Sequence, residues 1–464
     1  MADYRSASLR EAATLFVVVT GSVLASLDLF VVNLAFGAIH HAFAGSTAAE
    51  MAWVVNAYGV AFAGGLIPAG RIADRTGRKR AFVVGMTVFA AASLACALAP
   101  TLGVLIAARA IQGIGAAAMI PTSLGLLLTS SAPASRQRMV AIWAASGSVA
   151  SALGPVLGGA LVLIDWRWLF LVNVVVALPA LLVARLVPSS ESASGKIPDL
   201  LGSGLLAVTV GAVVAAITTS SESSAGAAVA ALIAVIGGIA FTIRQRRVEL
   251  PAIDFALFQD RSFIAATVGM TVFYLGFGIM LLGGSLFLTQ AWQMNTALAG
   301  AEFAAGPAAA VVTALVAGRW PLPPRVLSAA GGVLLSAGGL WWAVSLGTSP
   351  NYWGDFLPGL ILTGAGAGVA QTGFISGGTA TLAAAEYGAG TGVLNTARQI
   401  GSGVGVAIFI AAAGTATAVS RFQPAWFILA AAGLLAAVAG AIVAGHGHRP
   451  EAAAPAVPPH PGSS

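Results

Sequence analysis

The sequence predicts an all-helical membrane protein with fourteen membrane-spanning helices, and three observations carry this prediction. Hydrophobic residues make up 58% of the 464-residue chain and charged residues only 8%, whereas a water-soluble domain carries about 25% charged residues. The apolar residues form fourteen runs of roughly 20 residues, the length that crosses a bilayer. Lys and Arg fall almost entirely between those runs.

The runs lack the polar residue at every third or fourth position that a surface helix of a soluble protein shows. The first run continues past Asp28 and is too long for the apolar part of a cleaved signal peptide, so we expect it to be a retained helix. The predicted spans, in order, are 13–35, 51–70, 81–99, 102–128, 139–163, 168–187, 200–219, 226–243, 262–289, 299–318, 326–347, 355–380, 391–416 and 424–444.

The basic residues predict the orientation of the chain. With a cytoplasmic N-terminus and alternating spans, eighteen of the 22 Lys and Arg residues fall on the cytoplasmic side, where such residues concentrate. Arg167 and Arg421 fall outside, and Arg109 and Arg398 lie within spans. Both termini of this multi-pass plasma-membrane protein are therefore expected in the cytoplasm. Arg398 is placed near the cytoplasmic end of its span, where its side chain could snorkel to water.

An approximate internal repeat predicts how the spans are grouped. The second and tenth spans both end in Gly-Arg, and the fourth and twelfth both combine several glycines with a glutamine. Such parallel repeats are typical of transporters built from two similar halves. The predicted divisions are a six-helix half at 1–187, two inserted helices with cytoplasmic linkers at 188–261, a second six-helix half at 262–444, and a disordered cytoplasmic tail at 445–464.

Several function classes are not expected. The phosphate-binding pattern G-x-x-x-x-G-K-[ST] does not occur, so ATP is not expected to drive the protein. Its histidines are too few and too scattered to predict a metal site, and the single Cys96 cannot form an intramolecular disulfide. The pI near 10.1 reflects basic loops rather than nucleic-acid binding. We expect neither an enzyme, nor a cofactor, nor a metal.

Charged residues inside the spans are the candidates for function. A charge at the centre of a span costs roughly 2.5–3.5 kcal/mol on insertion scales and indicates a functional site. Asp28 and Arg109 are such residues, and each also has a structural alternative: a packing contact for Asp28 and a bracket to the first helix for Arg109. Glu302, near the outer end of the tenth span, is a further candidate, although it is shallow enough to be hydrated.

The most charged segment lies between the second and third spans, where six charged residues fall within 71–80. Residues 70–79 follow the pattern G-x-x-x-D-R-x-G-R-[RK], which resembles the loop signature of the major facilitator superfamily. Segments 27–33, 109–115, 154–159 and 166–173 resemble the motifs of its fourteen-helix drug:proton antiporter family. The second half departs from the pattern, because prolines at 321, 323 and 324 replace the acid and glycine of its basic loop.

The resemblance implies the major facilitator fold and assigns roles to particular residues. Proton coupling is implied for Asp28 and Arg109, with Glu302 as the other proton candidate. The implied cytoplasmic gate consists of Gly70, Asp74, Arg75, Gly77, Arg78 and Lys79, for which a pure topology anchor is the alternative. The implied antiporter motif, which seals the central cavity, consists of Gly147, Gly154, Pro155, Gly158 and Gly159.

The expected function is export of hydrophobic drugs or antibiotics in exchange for protons. The substrate is expected to be small and hydrophobic, and cationic compounds are included. The protein is expected to be a monomer in the lipid bilayer. Two alternatives stay open: an exporter of one endogenous metabolite, such as a self-made antibiotic, and a non-transporting membrane sensor. The residues predicted to line the substrate cavity are Asn33, Trp53, Asn56, Tyr58 and Gln112, with an interfacial position as the alternative for Trp53.

Overall fold

The computed structural model describes residues 2–130, 136–188, 199–220, 222–317, 319, 322–382, 386–414 and 418–443. The predicted tail at 445–464 and most of the linker that begins at 188 lie outside the described residues. In the described part the helices are α1 Ala2–Leu34, α2 Phe36–Ala42, α3 Ala48–Thr76, α4 Arg78–Ala97, α5 Leu102–Ser130, α6 Arg136–Val162, α7 Trp168–Val183, α8 Leu200–Thr219, α9 Ser224–Gln245, α10 Arg261–Leu286, α11 Thr296–Phe303, α12 Ala305–Ala317, α13 Pro324–Ser345, α14 Leu357–Thr379, α15 Tyr387–Ala413 and α16 Gln423–Ile442.

Helix covers each of the fourteen predicted spans, and eleven helices in the described part are long and apolar enough to cross a membrane. The count of fourteen spans stays a prediction. The tenth span is divided at Ala304 into α11 and α12, because Pro307 has no N–H to donate to the carbonyl one turn earlier. The short helix α2 was not predicted; it follows the first span and buries Phe36 and Ile39.

The helices of the two halves pack in the same pattern. In the N-terminal half, α1 packs against α5, α6 and α7, α3 against α5, and α4 against α5 and α7. In the C-terminal half, α10 packs against α14, α15 and α16, α12 against α14, and α13 against α14 and α16. The boundaries at 187 and 261 stay predictions, but the corresponding contacts give the two halves equivalent interiors.

The most extensive helix contacts between the halves involve α3 and α6, and α1 also contacts α10. α3 packs against α15, and α6 packs against α11 and α12. The inserted helix α8 lies against both α3 and α15, and α9 packs on α8. The outer face of α9 exposes apolar side chains, including Leu232, Ile236 and Ile239, as expected of a helix that faces lipid.

The buried carboxylate of Asp199 joins the start of α8 to the end of α9. Asp199 caps α8 by accepting from Gly202 N at 2.8 Å, and it also accepts from Arg244 Nε at 2.7 Å and from Gln245 Nε2 at 3.0 Å. Burial acts to raise the pKa of this carboxyl, but the hydrogen bonds from Gly202, Arg244 and Gln245 outweigh burial, so the pKa is lowered. Because its pKa is lower in the folded protein, the Asp199 carboxylate stabilises the fold at pH values above its unfolded-state pKa. This stabilisation is lost as the pH falls through the folded-state pKa.

We therefore expect Asp199→Ala to loosen the start of α8. Loss of the cap is worth about 0.5–2 kcal/mol, so backbone amides at 200–206 should exchange with deuterium roughly two- to thirtyfold faster at pH 7. Asp260→Ala is the matched control, because Asp260 caps α10 through Phe263 N at 2.9 Å and should affect α10 alone. Unchanged exchange in α8 would contradict the assignment.

Candidate functional site

The interior of the N-terminal half holds a buried ion pair between α1 and α5. Arg109 Nη1 donates to Asp28 Oδ2 at 2.5 Å, and both side chains are at most 2% exposed. Burying a lone carboxylate or guanidinium costs several kcal/mol, so each charge compensates the other. The two charges that the sequence singled out within the first six spans are thus in direct contact.

A hydrogen-bond network extends from Asp28 to two further helices. Gln112 Nε2 donates to Asp28 Oδ1 at 2.9 Å and to Ser93 Oγ at 2.7 Å, while Asn173 Nδ2 donates to Asp28 Oδ1 at 3.3 Å. Because Ser93 lies on α4 and Asn173 on α7, this network around one carboxylate connects α1, α4, α5 and α7. Sequence reasoning did not assign Ser93 or Asn173 to the site; their signal is an uncharged polar residue within an apolar span.

Arg109 also links this network to α3. Its Nε donates to the main-chain carbonyl of Val54 at 2.9 Å, and its Cζ lies 4.6 Å from the centroid of the Tyr58 ring. The next two residues of α3, Val55 and Asn56, line a cavity between the two halves. A movement of Arg109 would therefore displace the part of α3 that lines the cavity.

This central cavity has a volume of about 550 Å³, within the range that holds drug-sized molecules. Helices α1, α3 and α6 line it from the N-terminal half, and α10, α12, α14 and α15 line it from the C-terminal half. Most of the lining is apolar or glycine, and its polar side chains include Asn33, Asn56, Tyr274, Gln371, Arg398 and Gln399.

Two of the five residues predicted to line the cavity do so, namely Asn33 and Asn56. The other three lie elsewhere. Tyr58 lies beneath the Arg109 guanidinium, Gln112 belongs to the Asp28 network, and the Trp53 indole faces α8. The physical reason is helical geometry, since neighbouring residues of one helix point about 100° apart and only one face of α3 borders the cavity.

The polar residues that the C-terminal half contributes were not assigned to the site from the sequence. The Tyr274 hydroxyl donates to Gln371 Oε1 at 2.8 Å, and Gln399 is 6% exposed. Gln371 is the glutamine that the twelfth predicted span contributes to the internal repeat. As with Ser93, the signal was an isolated polar residue in an otherwise apolar span.

One end of the cavity is closed by contact between the two halves. A Cβ atom at Gly159 on α6 would lie 2.5 Å from the Thr296 carbonyl oxygen, and one at Gly300 on α11 would clash with the Pro155 carbonyl. Since neither glycine has a side chain, the two backbones approach closely. Gly158 packs in the same way against Val31 of α1.

The remaining motif glycines also lie on α6, and the cavity continues toward the end opposite to Gly159. Gly154 is buried, and Gly147 faces Ser22 and Ser26 of α1. The lining reaches Ser376, three residues before the end of α14. The structure therefore has a closed end at Gly159 and a cavity that extends toward the end that carries the 71–80 loop.

The sequence matches the Major Facilitator Superfamily over residues 18–406, which is most of the chain. The protein belongs to the major facilitator superfamily. Together with the eleven long apolar helices in the described part of the chain, this match identifies a multi-pass membrane protein of a transporter family.

Several relatives within the superfamily are named for resistance to drugs. The chain is 35% identical to the puromycin resistance protein pur8 of Streptomyces alboniger over 87% of this chain and 82% of that protein. It is 35% identical to a methylenomycin A resistance protein of Streptomyces coelicolor, over 84% of this chain and 82% of that protein. It is 31% identical to the multidrug resistance protein B homolog of Mycobacterium tuberculosis, with 84% and 74% covered.

Solved structures of major facilitator transporters share the fold. A D-xylose–proton symporter superposes with a TM-score of 0.68 at 13% identity and covers 92% of this chain and 97% of its own. A peptide transporter solved in complex with sulfate also superposes with a TM-score of 0.68, at 15% identity, over 92% of this chain and 93% of that chain. At these identities the comparison establishes the fold alone.

The superfamily loop signature connects α3 to α4 through Gly77, whose φ of +92° favours glycine. Arg78 donates to the Gly125 carbonyl at 3.3 Å, and Lys79 donates to the Val187 carbonyl, both within the N-terminal half. Arg75 is exposed and Gly70 packs near Pro121. The side chain of Asp74 lies outside the described residues, so its predicted gating role stays a prediction.

Glu302 lies on α11 and is not among the described residues that line the cavity. Among the described residues its Oε2 atom is buried without a hydrogen-bond partner. The Tyr352 hydroxyl donates to the main-chain carbonyl of Glu302 at 2.7 Å. Burial raises the pKa of Tyr352 to about 12, and the Glu302 charge also raises it, so this phenol remains a hydrogen-bond donor at neutral pH.

Proposed function

We propose that this chain is a proton-coupled antiporter of the fourteen-helix type that exports small hydrophobic compounds, antibiotics among them, across the cytoplasmic membrane. The names of its relatives support resistance by export. The observation that carries the proposal is the buried Asp28–Arg109 pair, which is joined through α3 to a cavity of drug size.

Protonation of Asp28 is the coupling step. A proton on this carboxyl removes its charge and leaves the Arg109 guanidinium buried without compensation, because a guanidinium stays protonated. Arg109 must then find water or another acceptor, and its bond to the Val54 carbonyl carries the displacement into α3. Since α3 packs against α15 across the two halves, the proton and the cavity act on the same interface.

The closed end supplies the second requirement of an antiporter. An exporter must keep the cavity sealed on one side while the other is open, or the proton gradient would leak. The close packing of Gly159 and Gly300 provides this seal. With the predicted orientation, the seal is extracellular and the 71–80 loop cytoplasmic, and we infer an inward-facing state. The proposal keeps the expectation of a monomer with both termini in the cytoplasm.

A dedicated exporter of one antibiotic is the second candidate. Two relatives are named for single compounds, puromycin and methylenomycin A, and both candidates use the same coupling. A non-transporting sensor has less support, because a sensor does not need a cavity between two similarly packed halves. A panel of antibiotics against an efflux-deficient strain that expresses the protein distinguishes the first two, since only a multidrug exporter protects against unrelated compounds.

Inside-out vesicles test the direction and the driving force. We expect vesicles with an acidified lumen to accumulate substrate, because protons leave the lumen as substrate enters. A protonophore should abolish the accumulation, and vesicles without the protein are the control. Uptake that follows ATP and ignores the protonophore would contradict the proposal.

A further inference from the structure

The cavity contains a fixed positive charge without a counter-charge. Among the described residues that line it, Arg398 is the one charged side chain, and none is acidic. Arg398 forms no ion pair with another described residue; its Nε is buried without a hydrogen-bond partner, and its Cζ lies 5.7 Å from the centroid of the Tyr274 ring. The Tyr274 hydroxyl donates to Gln371 and also interacts with the Arg398 guanidinium, but as a neutral phenol it does not compensate the charge.

The depth of Arg398 excludes the simple snorkelling that its sequence position allowed. It is the twelfth residue of α15, which begins at Tyr387, and therefore lies about 16 Å along the helix from its first residue. Its position in the lining, beside Gln399 and Ser402, directs the charge to the cavity rather than to the end of the helix.

An amide from the other half is also available in the cavity. Asn56 is 1% exposed and lines the cavity, yet neither of its side-chain polar atoms has a partner among the described residues. A Cβ at Gly403, five residues after Arg398 on α15, would lie 3.6 Å from Asn56 Oδ1. A buried amide without partners is unfavourable, so a ligand that supplies an acceptor to its N–H₂ group would be stabilised.

These groups select for an anion. A guanidinium binds carboxylates strongly through its planar set of donors, and in a largely apolar cavity its charge opposes the entry of a cation. Apolar side chains such as Phe277, Leu281 and Val406 line the rest of the cavity and suit a hydrophobic body.

We propose that the cavity binds hydrophobic organic anions, carboxylates in particular, and that Arg398 is the residue that determines this specificity. The inference rests on the proposed function, because it treats the cavity as the transport site. It replaces the expectation of a cationic substrate with one of the opposite charge. Asn56, from the other half, would complete the site for the same head group.

Three pyrene probes that differ in their head group test the proposal: 1-pyrenebutyrate, 1-pyrenebutanol and 1-pyrenebutyl-trimethylammonium. Binding to the full-length protein in nanodiscs of neutral lipid at pH 8 is measured by fluorescence, with empty nanodiscs subtracted. No proton gradient is applied, so failure of proton coupling in vesicles would leave this result unaffected. We expect the carboxylate to bind at least roughly tenfold more tightly than the alcohol, consistent with one charge-assisted contact, and the ammonium to bind most weakly.

Variants then assign the preference to Arg398. Arg398→Gln should remove the preference for the carboxylate and leave the affinity for the alcohol unchanged, whereas Arg398→Lys should retain part of the preference. Arg421→Gln, which removes an exposed arginine outside the cavity, is the matched control and should bind like the wild type.

Three results would overturn the proposal: an ammonium probe that binds wild-type protein as tightly as the carboxylate, a carboxylate preference that survives in Arg398→Gln, or equal loss of all three probes in a monodisperse Arg398→Gln protein. If Arg398→Gln does not fold, the wild-type order of the three probes and the reduced preference in Arg398→Lys still decide the matter.

Discussion

Asp28→Asn is expected to abolish proton-driven export while substrate still binds. The amide cannot release a proton, so the variant keeps the uncharged form of the side chain throughout the cycle. Its one side-chain oxygen can take the place of Asp28 Oδ2 and accept from Arg109, while its N–H₂ group replaces Oδ1, to which Gln112 and Asn173 now donate. Vesicles with the variant should therefore show no accumulation above equilibrium and no substrate-induced proton release.

The control for Asp28→Asn is the same chemical change at an exposed ion pair. Asp165 lies 3.6 Å from Arg167, and both side chains are more than 40% exposed. Exposed pairs contribute about 0–1 kcal/mol, so Asp165→Asn should transport normally. Proton release of wild-type size from purified Asp28→Asn would show that another carboxyl carries the proton, and Glu302 would be tested next.

A double variant separates coupling from stability. Removing one partner of a buried ion pair destabilises a protein by about 3–5 kcal/mol, because the other charge is left uncompensated. Arg109→Gln added to Asp28→Asn removes both charges and should recover much of that loss, which a thermal unfolding assay would detect. Export should remain absent, because the titrating carboxyl is still missing.

Gly159→Leu is expected to abolish transport by preventing closure at the sealed end. Even a Cβ at this position would lie 2.5 Å from the Thr296 carbonyl, and main-chain atoms cannot rotate away as a side chain does. The closed arrangement is therefore lost for any larger residue, while the state that is open at this end has no such contact. The variant should accumulate in that open state.

Spin labels at Ile164 and Trp353, both more than 70% exposed, can report the separation of the two halves at this end. The wild type should give a short distance, and Gly159→Leu a longer one. Gly103→Leu is the matched control, because a Cβ at Gly103 meets no atom within 4 Å. A short distance in folded Gly159→Leu, or normal transport by this variant, would contradict the proposed role of the seal.

The sequence allowed the helices to be located because apolar runs of bilayer length leave little choice of structure. It also singled out Asp28 and Arg109, since a charge within such a run requires a partner. It could not determine which face of each helix borders the cavity: Trp53 and Asn56 are three residues apart, yet only Asn56 lines it. The break at Ala304 depends on one missing hydrogen bond at Pro307, which a count of apolar residues does not detect.

The Arg398 charge, which has no ion-pair partner among the described residues, affects the energy available to the transporter. If one organic anion leaves for each proton that enters, two positive charges move inward per cycle, and a membrane potential of 100 mV supplies about 4.6 kcal/mol. That energy sustains a ratio of outside to inside anion concentration of roughly 2,000. A neutral substrate would reach a ratio of about fifty, and export of a monovalent cation would gain nothing from the potential. A protein with this cavity would keep exporting anions from cells whose transmembrane pH difference has vanished, as long as they remain electrically polarised.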